Sequence, residues 1–356
     1  MPSLQEIVDD LADRTGRAID VEDRRFRLLA HSAHDGPVDA VRRDTILRRA
    51  ATPEVVARLD ALGVAAARGH VRLPPAPALG MSARLCFPVR ERDALLGYVW
   101  VVDDPPVGDR EAAELATALA AVGPALAALR DREDERREAQ TAAIIALLAG
   151  DTAPAAALLG EHGPVSVAVA HGADDLAALR RLAGAGRALT GEHDGLAVAV
   201  LVATAVHEGG AATLGVGGPV PGLDGAADAH RQAVLAFRVA LACPAFRPVA
   251  HFGALGPHGL LAPLAFPPGG GPPATLPAAI ERRRAAADGA ELLATVRAVL
   301  DAGDDMTGAA SRLHVHRSTL HRRLRRVEQL TGAELADGRS RLELHAGLVL
   351  AELLGA

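Results

Sequence analysis

The sequence predicts a multidomain α+β fold, with two α/β regions followed by an all-α C-terminal region. Three observations carry that class. Residues 307–331, TGAASRLHVHRSTLHRRLRRVEQLT, read as two helices about a corner. Residues 1–256 alternate short β-like apolar runs with stretches of helical periodicity. Between these parts, residues 257–284 are rich in proline and glycine, the composition of a flexible connector. A length of 356 residues suits two or three domains.

The first region runs from 1 to 130. Leu4, Ile7, Val8 and Leu11 mark an amphipathic helix that Gly16 ends. Residues 18–21 and 26–30 read as strands around the turn Glu22-Asp23-Arg24-Arg25. Residues 38–50 and 54–62 read as helices, 64–73 as a strand and 74–77 as a proline-rich loop. Residues 84–89 and 95–102 form the clearest hairpin, with Glu91-Arg92-Asp93 at its tip. Tyr98 and Trp100 share a face of one strand; Arg84 and Cys86 share a face of its neighbour.

A long helix follows from Glu111 toward Gly150, with a kink expected at Gly123-Pro124. Its charged middle, RDREDERRE, suits a helical linker over 131–159. Leu115, Leu119, Val122, Leu126 and Leu129 alternate in steps of four and three. That spacing fits a dimer seam, and equally a helix laid on the preceding sheet.

Residues 160–256 read as strand 165–170, helix 176–189, strands 196–205 and 213–216, helix 226–242 and strand 249–252. Helix 226–242 carries Ala229, Ala233, Ala236 and Ala240 on one face. In the last region, 285–356, Leu292, Leu293, Val296, Val299 and Leu300 form a stripe that Gly303 stops, and Asp305 or Thr307 can cap the next helix. A short helix 307–313 with Ala309, Ala310 and Leu313 inward precedes the corner His314-Val315-His316. A second helix, 317–330, buries Leu320, Leu324, Val327 and Leu330. A closing helix over 341–354 turns Leu342, Ala346, Val349 and Leu353 inward.

On the second helix, Ser318, His321, Arg322 and Arg325 fall opposite the apolar stripe. Arg317, Thr319, Arg323 and Arg326 flank them. This is the layout of a helix-turn-helix that reads the major groove. A surface helix merely rich in arginine is the plainer alternative.

AASRLHVHRSTLHRRLRRVEQLTG resembles the C-terminal helix-turn-helix of PucR/CdaR-type bacterial transcriptional regulators. The likeness rests on Ala310, Leu313, Val315, His316, Ser318, Thr319, Leu320, His321, Arg322, Leu324, Arg326, Val327, Glu328, Leu330, Thr331 and Gly332. It implies a DNA-binding regulator whose partner is double-stranded DNA at a promoter or operator. RLCFPVRERDALLGYVWVVDD resembles the central hairpin of the GAF/PAS-like sensor domain such regulators often carry, which implies a small-molecule effector. Arg84, Cys86, Tyr98 and Trp100 are the candidate effector residues, with plain core packing as the alternative. LGVGGPVPGLDGAADAHRQAVLAFRVAL resembles the GGDEF-like middle domain of CdaR-type regulators. A cyclase needs a GG[DE]EF loop; Gly209-Gly210 and Gly217-Gly218 lead into Ala211 and Pro219, so the domain reads as non-catalytic.

Composition limits the alternatives. Net charge is −6, so basic charge is local, and every cation is arginine, since the chain has no lysine. The core must be aliphatic, because aromatics make up 2%. Cys86 and Cys243 read as free thiols. The opening MPSLQEIVDD lacks the pattern of a signal peptide, and the run 195–206 is too short to span a bilayer, which points to a cytoplasmic protein. His314, His316 and His321 carry no metal signature, and no cofactor loop is present. The expectation is a dimeric, effector-gated DNA-binding regulator without enzymatic activity. Its rivals are a nucleotide cyclase relative and a sensor that binds protein partners.

Overall fold

A computed structural model describes residues 2–33, 38–160, 163–172, 175–176, 179, 187–202, 212–284, 288–303 and 305–355. The chain divides into two compact units, Met1–Arg136 and Arg137–Ala356.

In the first unit, α1 (Leu4–Thr15) starts on a capping box between Ser3 and Glu6 and ends on Gly16 in the left-handed conformation. The sheet has the order β2-β1-β5-β4-β3, antiparallel throughout, from β1 (Ile19–Asp23), β2 (Leu28–His31), β3 (Val71–Leu73), β4 (Arg84–Glu91) and β5 (Ala94–Val102). Period-two alternation divides its side chains between two covered faces. Ile19, Val21, Leu85, Val99 and Val101 pack with Val8 and Leu11 of α1 and with the helices that follow the hairpin. Cys86, Tyr98 and Trp100 face the other way, among Phe26, Val41, Val55, Leu59, Leu73 and Met81. Val41 lies on α2 (Ala40–Arg48), and Val55 and Leu59 on α3 (Pro53–Ala61).

The expected strand 64–73 shrinks to Val71–Leu73. Residues 65–68 turn after α3, with Ala66 and Ala67 bonding back to Gly63 and Val64. The long helix is α4 (Asp109–Ala118), a 3₁₀ turn over Leu119–Ala121, and α5 (Val122–Leu148). Pro124 can neither donate to the carbonyl of Ala120 nor avoid it, so the irregular turn falls one turn ahead of the proline. The leucine seam does not face outward. Leu115, Leu119, Val122 and Leu126 are buried on the sheet, which is the second of the two readings their spacing allowed; only Leu129 is exposed. The helical stretch Asp109–Leu148 is long and apolar enough to cross a membrane by length and composition. Ala112, Leu115, Leu119, Val122 and Leu126 of it belong to the core just described, and Ala143, Ile144 and Leu147 to a core of the second unit.

In the second unit the sheet order is β10-β9-β6-β8-β7, from β6 (Val165–His171), β7 (Arg187–His193), β8 (Leu196–Val202), β9 (Leu214–Val220) and β10 (Val249–His251). Only β10 runs parallel to its neighbour. The expected helix 176–189 is corrected at its end, where Arg187–His193 is strand β7; most of the rest lies outside the described residues, as do Gly209-Gly210 and residues 203–205. β9 continues past Val216, so Gly217-Gly218 lies within the strand.

The reason is packing. α7 (Ala226–Ala242) presses its alanine face onto β6 and β9. A Cβ on Gly217 would meet the carbonyl oxygen of Ala229 at 1.9 Å, and one on Gly215 the carbonyl oxygen of Ala233 at 2.2 Å. The glycines let helix and strand backbones approach directly.

The expected helical linker 131–159 contains the boundary between the two units, within α5, but its second half is packed, and the expected linker 257–284 is a packed segment. Within 131–159, Ala143, Ile144 and Leu147 of α5 and Ala155 and Leu159 of α6 (Ala153–Leu159) are core residues. Residues 257–284 form α8 (Pro257–Ala265) and α9 (Ala278–Arg284). Ala262, Ala265, Leu276 and Ile280 there share one core with α7, with Val327, and with Leu344 and Leu353 of the closing helix. Prolines at helix starts and at the joint between helices therefore punctuate a packed segment.

Gly217→Ala should destabilise the second unit by about 2–4 kcal/mol, because backbone must move to admit the methyl group. Gly222→Ala, where a Cβ meets nothing within 4 Å, should cost far less. Urea denaturation followed by far-ultraviolet circular dichroism compares the two.

Candidate nucleic-acid interface

Four helices build the C-terminal region: α10 (Gly289–Ala302), α11 (Met306–Arg312), α12 (Arg317–Thr331) and α13 (Gly338–Leu353). Asp305 caps α11, its carboxylate accepting from the backbone N–H of Gly308 at 2.8 Å. The corner is closed by backbone bonds from His314 to Ser311 and from Val315 to Ala310. His314 sits there at φ 52°, a left-handed conformation that non-glycine residues adopt at a cost. His316 caps α12, with Nδ1 accepting from the N–H of Ser318 at 3.3 Å. Gly332 ends the helix at φ 72°.

Ala309, Ala310 and Leu320 form the buried contact between the two helices, joined by Leu313, Val315 and Leu324. Small residues on α11 let the helices cross closely. Val327 is buried in the neighbouring core, and Leu330 packs against it. The closing helix differs from its expected face: Leu342 is 70% exposed, and burial begins at Leu344. The two C-terminal turns are enclosed on nearly all sides, so Leu348, Leu350 and Ala351 are buried together with Val349 and Leu353.

With Leu320 and Val327 inward, Arg317, Ser318, His321, Arg322, Arg325 and Arg326 are all exposed. Ser318, His321, Arg322 and Arg325 span an arc of about 100° at the helical step. Among the described residues, Arg317, Arg322, Arg325 and Arg326 have no ion-pair partner. Two expected contact residues differ. Thr319 is half-buried. Arg323 is turned from the free face and pairs with Glu291 of α10. Glu328, the first acid of α12, accepts the N–H of Leu335 at 2.9 Å and so helps fix the loop after the helix. The result is a preorganised cationic surface on a helix of 15 residues.

The candidate effector residues of the first unit come together, but in a charged setting the sequence did not disclose. Cys86 lies opposite Trp100 and Pro88 opposite Tyr98 in the hairpin register. Tyr98 stacks on Phe26 with ring centroids 4.7 Å apart. Trp100 donates from Nε1 to Glu22 at 2.8 Å. Arg84 pairs with Asp39 at 2.7 Å, and Arg42 with Asp20 at 3.0 Å. All but Asp39 of these charged groups are buried, and the Arg84 Nε has no partner among the described residues.

Glu22, Asp20, Asp39 and Arg42 were missed because their polar alternation reads as a solvated strand face and a polar helix. Here α2 and α3 cover that face. A small cavity lined by Glu22, Arg84, Met81 and Trp100 adjoins a surface cleft of about 290 Å³, the two sharing Val41, Thr45 and Val55.

Burial pushes the Glu22 carboxyl up to about 8, despite the Trp100 hydrogen bond, which works to lower it. Burial likewise raises Asp20, with Arg42 opposing. Asp39 stays below the usual carboxylate range: its burial works upward, but Arg84 and backbone donors outweigh it. Burial raises the Cys86 thiol well beyond its ordinary value, so Cys86 is an inert packing residue in this state.

The helix pair and its free cationic face define a helix-turn-helix of the DNA-binding class. Residues 292–350 match the PucR C-terminal helix-turn-helix domain. The DNA-binding transcriptional activator AdeR of Bacillus subtilis is 26% identical over 140 residues, covering 38% of this chain and 33% of that protein. The match therefore spans about a third of the curated relative. A solved structure of a regulator of polyketide synthase expression from Bifidobacterium adolescentis aligns at 17% identity and a TM-score of 0.28, covering 60% of this chain and 91% of that one.

Glu22 is neutral in the folded state at pH 7, whereas a free glutamate is ionised. Stability from this site is therefore full below about pH 4.5, falls as pH rises, and is lost through about pH 8. Trp100, the only tryptophan, reports on it directly. Its fluorescence should titrate with a midpoint near 8, and Glu22→Gln should abolish that step and flatten the pH dependence of urea unfolding.

Proposed function

We propose that this protein is a DNA-binding transcriptional regulator that places α12 in the major groove. The carrying observation is the exposed face of α12, where Arg317, Arg322, Arg325 and Arg326 have no ion-pair partner among the described residues and Leu320 and Val327 hold the helix from behind. Ser318, His321, Arg322 and Arg325 read base edges, as arginine can bond guanine in a bidentate manner. Arg317, Arg326 and the hydroxyl of Thr319 take phosphates, fixing register. Arg323 serves from the side, its pair with Glu291 bracing α12 against α10.

In this reading the first unit is a GAF-like sensor, and a small-molecule effector enters through the cleft beside α2 and α3. The pocket polarity, with a neutral Glu22, the Trp100 indole and Arg84, suits a small polar effector carrying both a hydrogen-bond acceptor and an apolar body. The protein acts as a cytoplasmic homodimer, since bacterial operators that match helix-turn-helix regulators are commonly two-fold symmetric. The GGDEF-like domain is non-catalytic: Gly217 is committed to the contact with α7 and Gly218 donates its N–H to Gln232 of that helix at 3.0 Å, so this pair forms no phosphate-holding loop.

Arg322→Ala should weaken the specific complex by about 1–3 kcal/mol and leave binding to unrelated DNA nearly unchanged. Competition titration on a fragment from the protein's own upstream region measures both. Equal losses on both DNAs would move Arg322 to the phosphate contacts.

A further inference from the structure

Three potential metal ligands meet in the second unit, far apart in sequence. Cys243 follows α7, His258 lies on α8, and Glu352 is on the last turn of α13. Their Sγ, imidazole nitrogen and carboxylate oxygen all lie within 4.8 Å of one another. His258 Nε2 stands 3.1 Å from Glu352 Oε2. Four-coordinate zinc, with bonds of about 2.0–2.3 Å, sets neighbouring ligand atoms about 3.3–3.6 Å apart. The His258–Glu352 pair is already near that edge length, and a short movement of Cys243 completes a triangle.

We propose that Cys243, His258 and Glu352 form a site for a divalent transition metal of the zinc class. Sulfur, imidazole and carboxylate together suit zinc or cobalt and disfavour magnesium or calcium, which take oxygen ligands. Cys243 and His258 are buried, while Glu352 keeps an exposed side, so water can take the fourth position. The Phe246 ring stands edge-on to His258 with centroids 4.9 Å apart, which fixes the imidazole plane.

Arg297 does not oppose the ion. It holds the Glu352 carboxylate at 3.3 Å and pairs with Asp301 at 3.0 Å, which in turn meets His345 at 2.9 Å. With the metal bound, a Cys243 thiolate, Glu352 and Asp301 carry three negative charges. Arg297 and the dication carry three positive ones. The partners that orient a ligating carboxylate are thus in place.

Coordination replaces the Cys243 S–H bond with an S–metal bond, and the proton leaves to solvent past the exposed side of Glu352. A free thiol keeps its proton at neutral pH, so this proton is released on binding. The bound ion staples the end of α7 and α8 to the last helix of the helix-turn-helix region.

The test is titration of the full-length, metal-stripped protein with Co²⁺ alone, followed by absorption spectroscopy. One equivalent should give tetrahedral d–d bands with a thiolate-to-cobalt charge-transfer band. Cys243→Ser should remove the charge-transfer band, His258→Gln should weaken binding at least tenfold, and Cys86→Ser should change neither. Calorimetry of Zn²⁺ binding to the unaltered protein, in buffers of different ionisation enthalpy, should show about one proton released per ion. That measurement needs no variant to fold. Absence of a stoichiometric thiolate–cobalt band, a band that survives Cys243→Ser, or zinc binding without proton release would each overturn the proposal.

Discussion

Leu320 and Val327 fix the roll of α12, and most of what the C-terminal region presents to solvent follows from that. Both are essentially unexposed, Leu320 against the alanines of α11 and Val327 in the core shared with α7 and α13. Turning the helix by one residue would bury an arginine and expose an aliphatic side chain. Burying an unpaired guanidinium costs several kcal/mol, so the seating is effectively single-valued. The side chains opposite are then held outward without further machinery. Among the described residues, Arg323, at the edge of the buried stripe, is the one arginine of the helix drawn into an ion pair with the scaffold.

The first unit follows the opposite logic. Its second sheet face carries charge where aliphatic packing would be simpler: Asp20, Glu22 and Arg84 lie beneath α2 and α3, and Arg42 of α2 is buried against them. Each buried charge is paired or hydrogen-bonded, except for the Arg84 Nε, which has no partner among the described residues. Such networks are costly and seldom the most stable solution for a core. A cleft adjoining that network, through side chains of the covering helices, is where the fold invests in something other than stability.

Much of this was legible in the residues. The corner after α11, the stripe on α12 and the free face opposite it follow from helical periodicity over 25 residues with few competing signals. The hairpin of β4 and β5 and the alanine face of α7 were equally plain. What was not legible has identifiable causes. Asp20 and Glu22 alternate with Ile19 and Val21, a pattern identical to that of a strand with one wet face, and only tertiary structure covers the second face. Residues 257–284 have a linker's composition, but their prolines start helices whose few apolar side chains reach a shared core. Gly217-Gly218 has the look of a loop until α7 is seen lying on it. The meeting of Cys243, His258 and Glu352 depends on the packing of three helices and leaves no local trace.

The central claim is that α12 binds DNA through the face its apolar stripe turns outward. The most direct measurement is fluorescence anisotropy of a labelled upstream fragment, titrated with the full-length protein at several salt concentrations and with unrelated competitor DNA. The account predicts a complex that outlasts competitor and whose affinity falls linearly on logarithmic axes, by roughly 0.9 in slope for each phosphate neutralised. Absence of a complex at low salt, or one that competitor DNA removes as readily as the unlabelled fragment does, would contradict it.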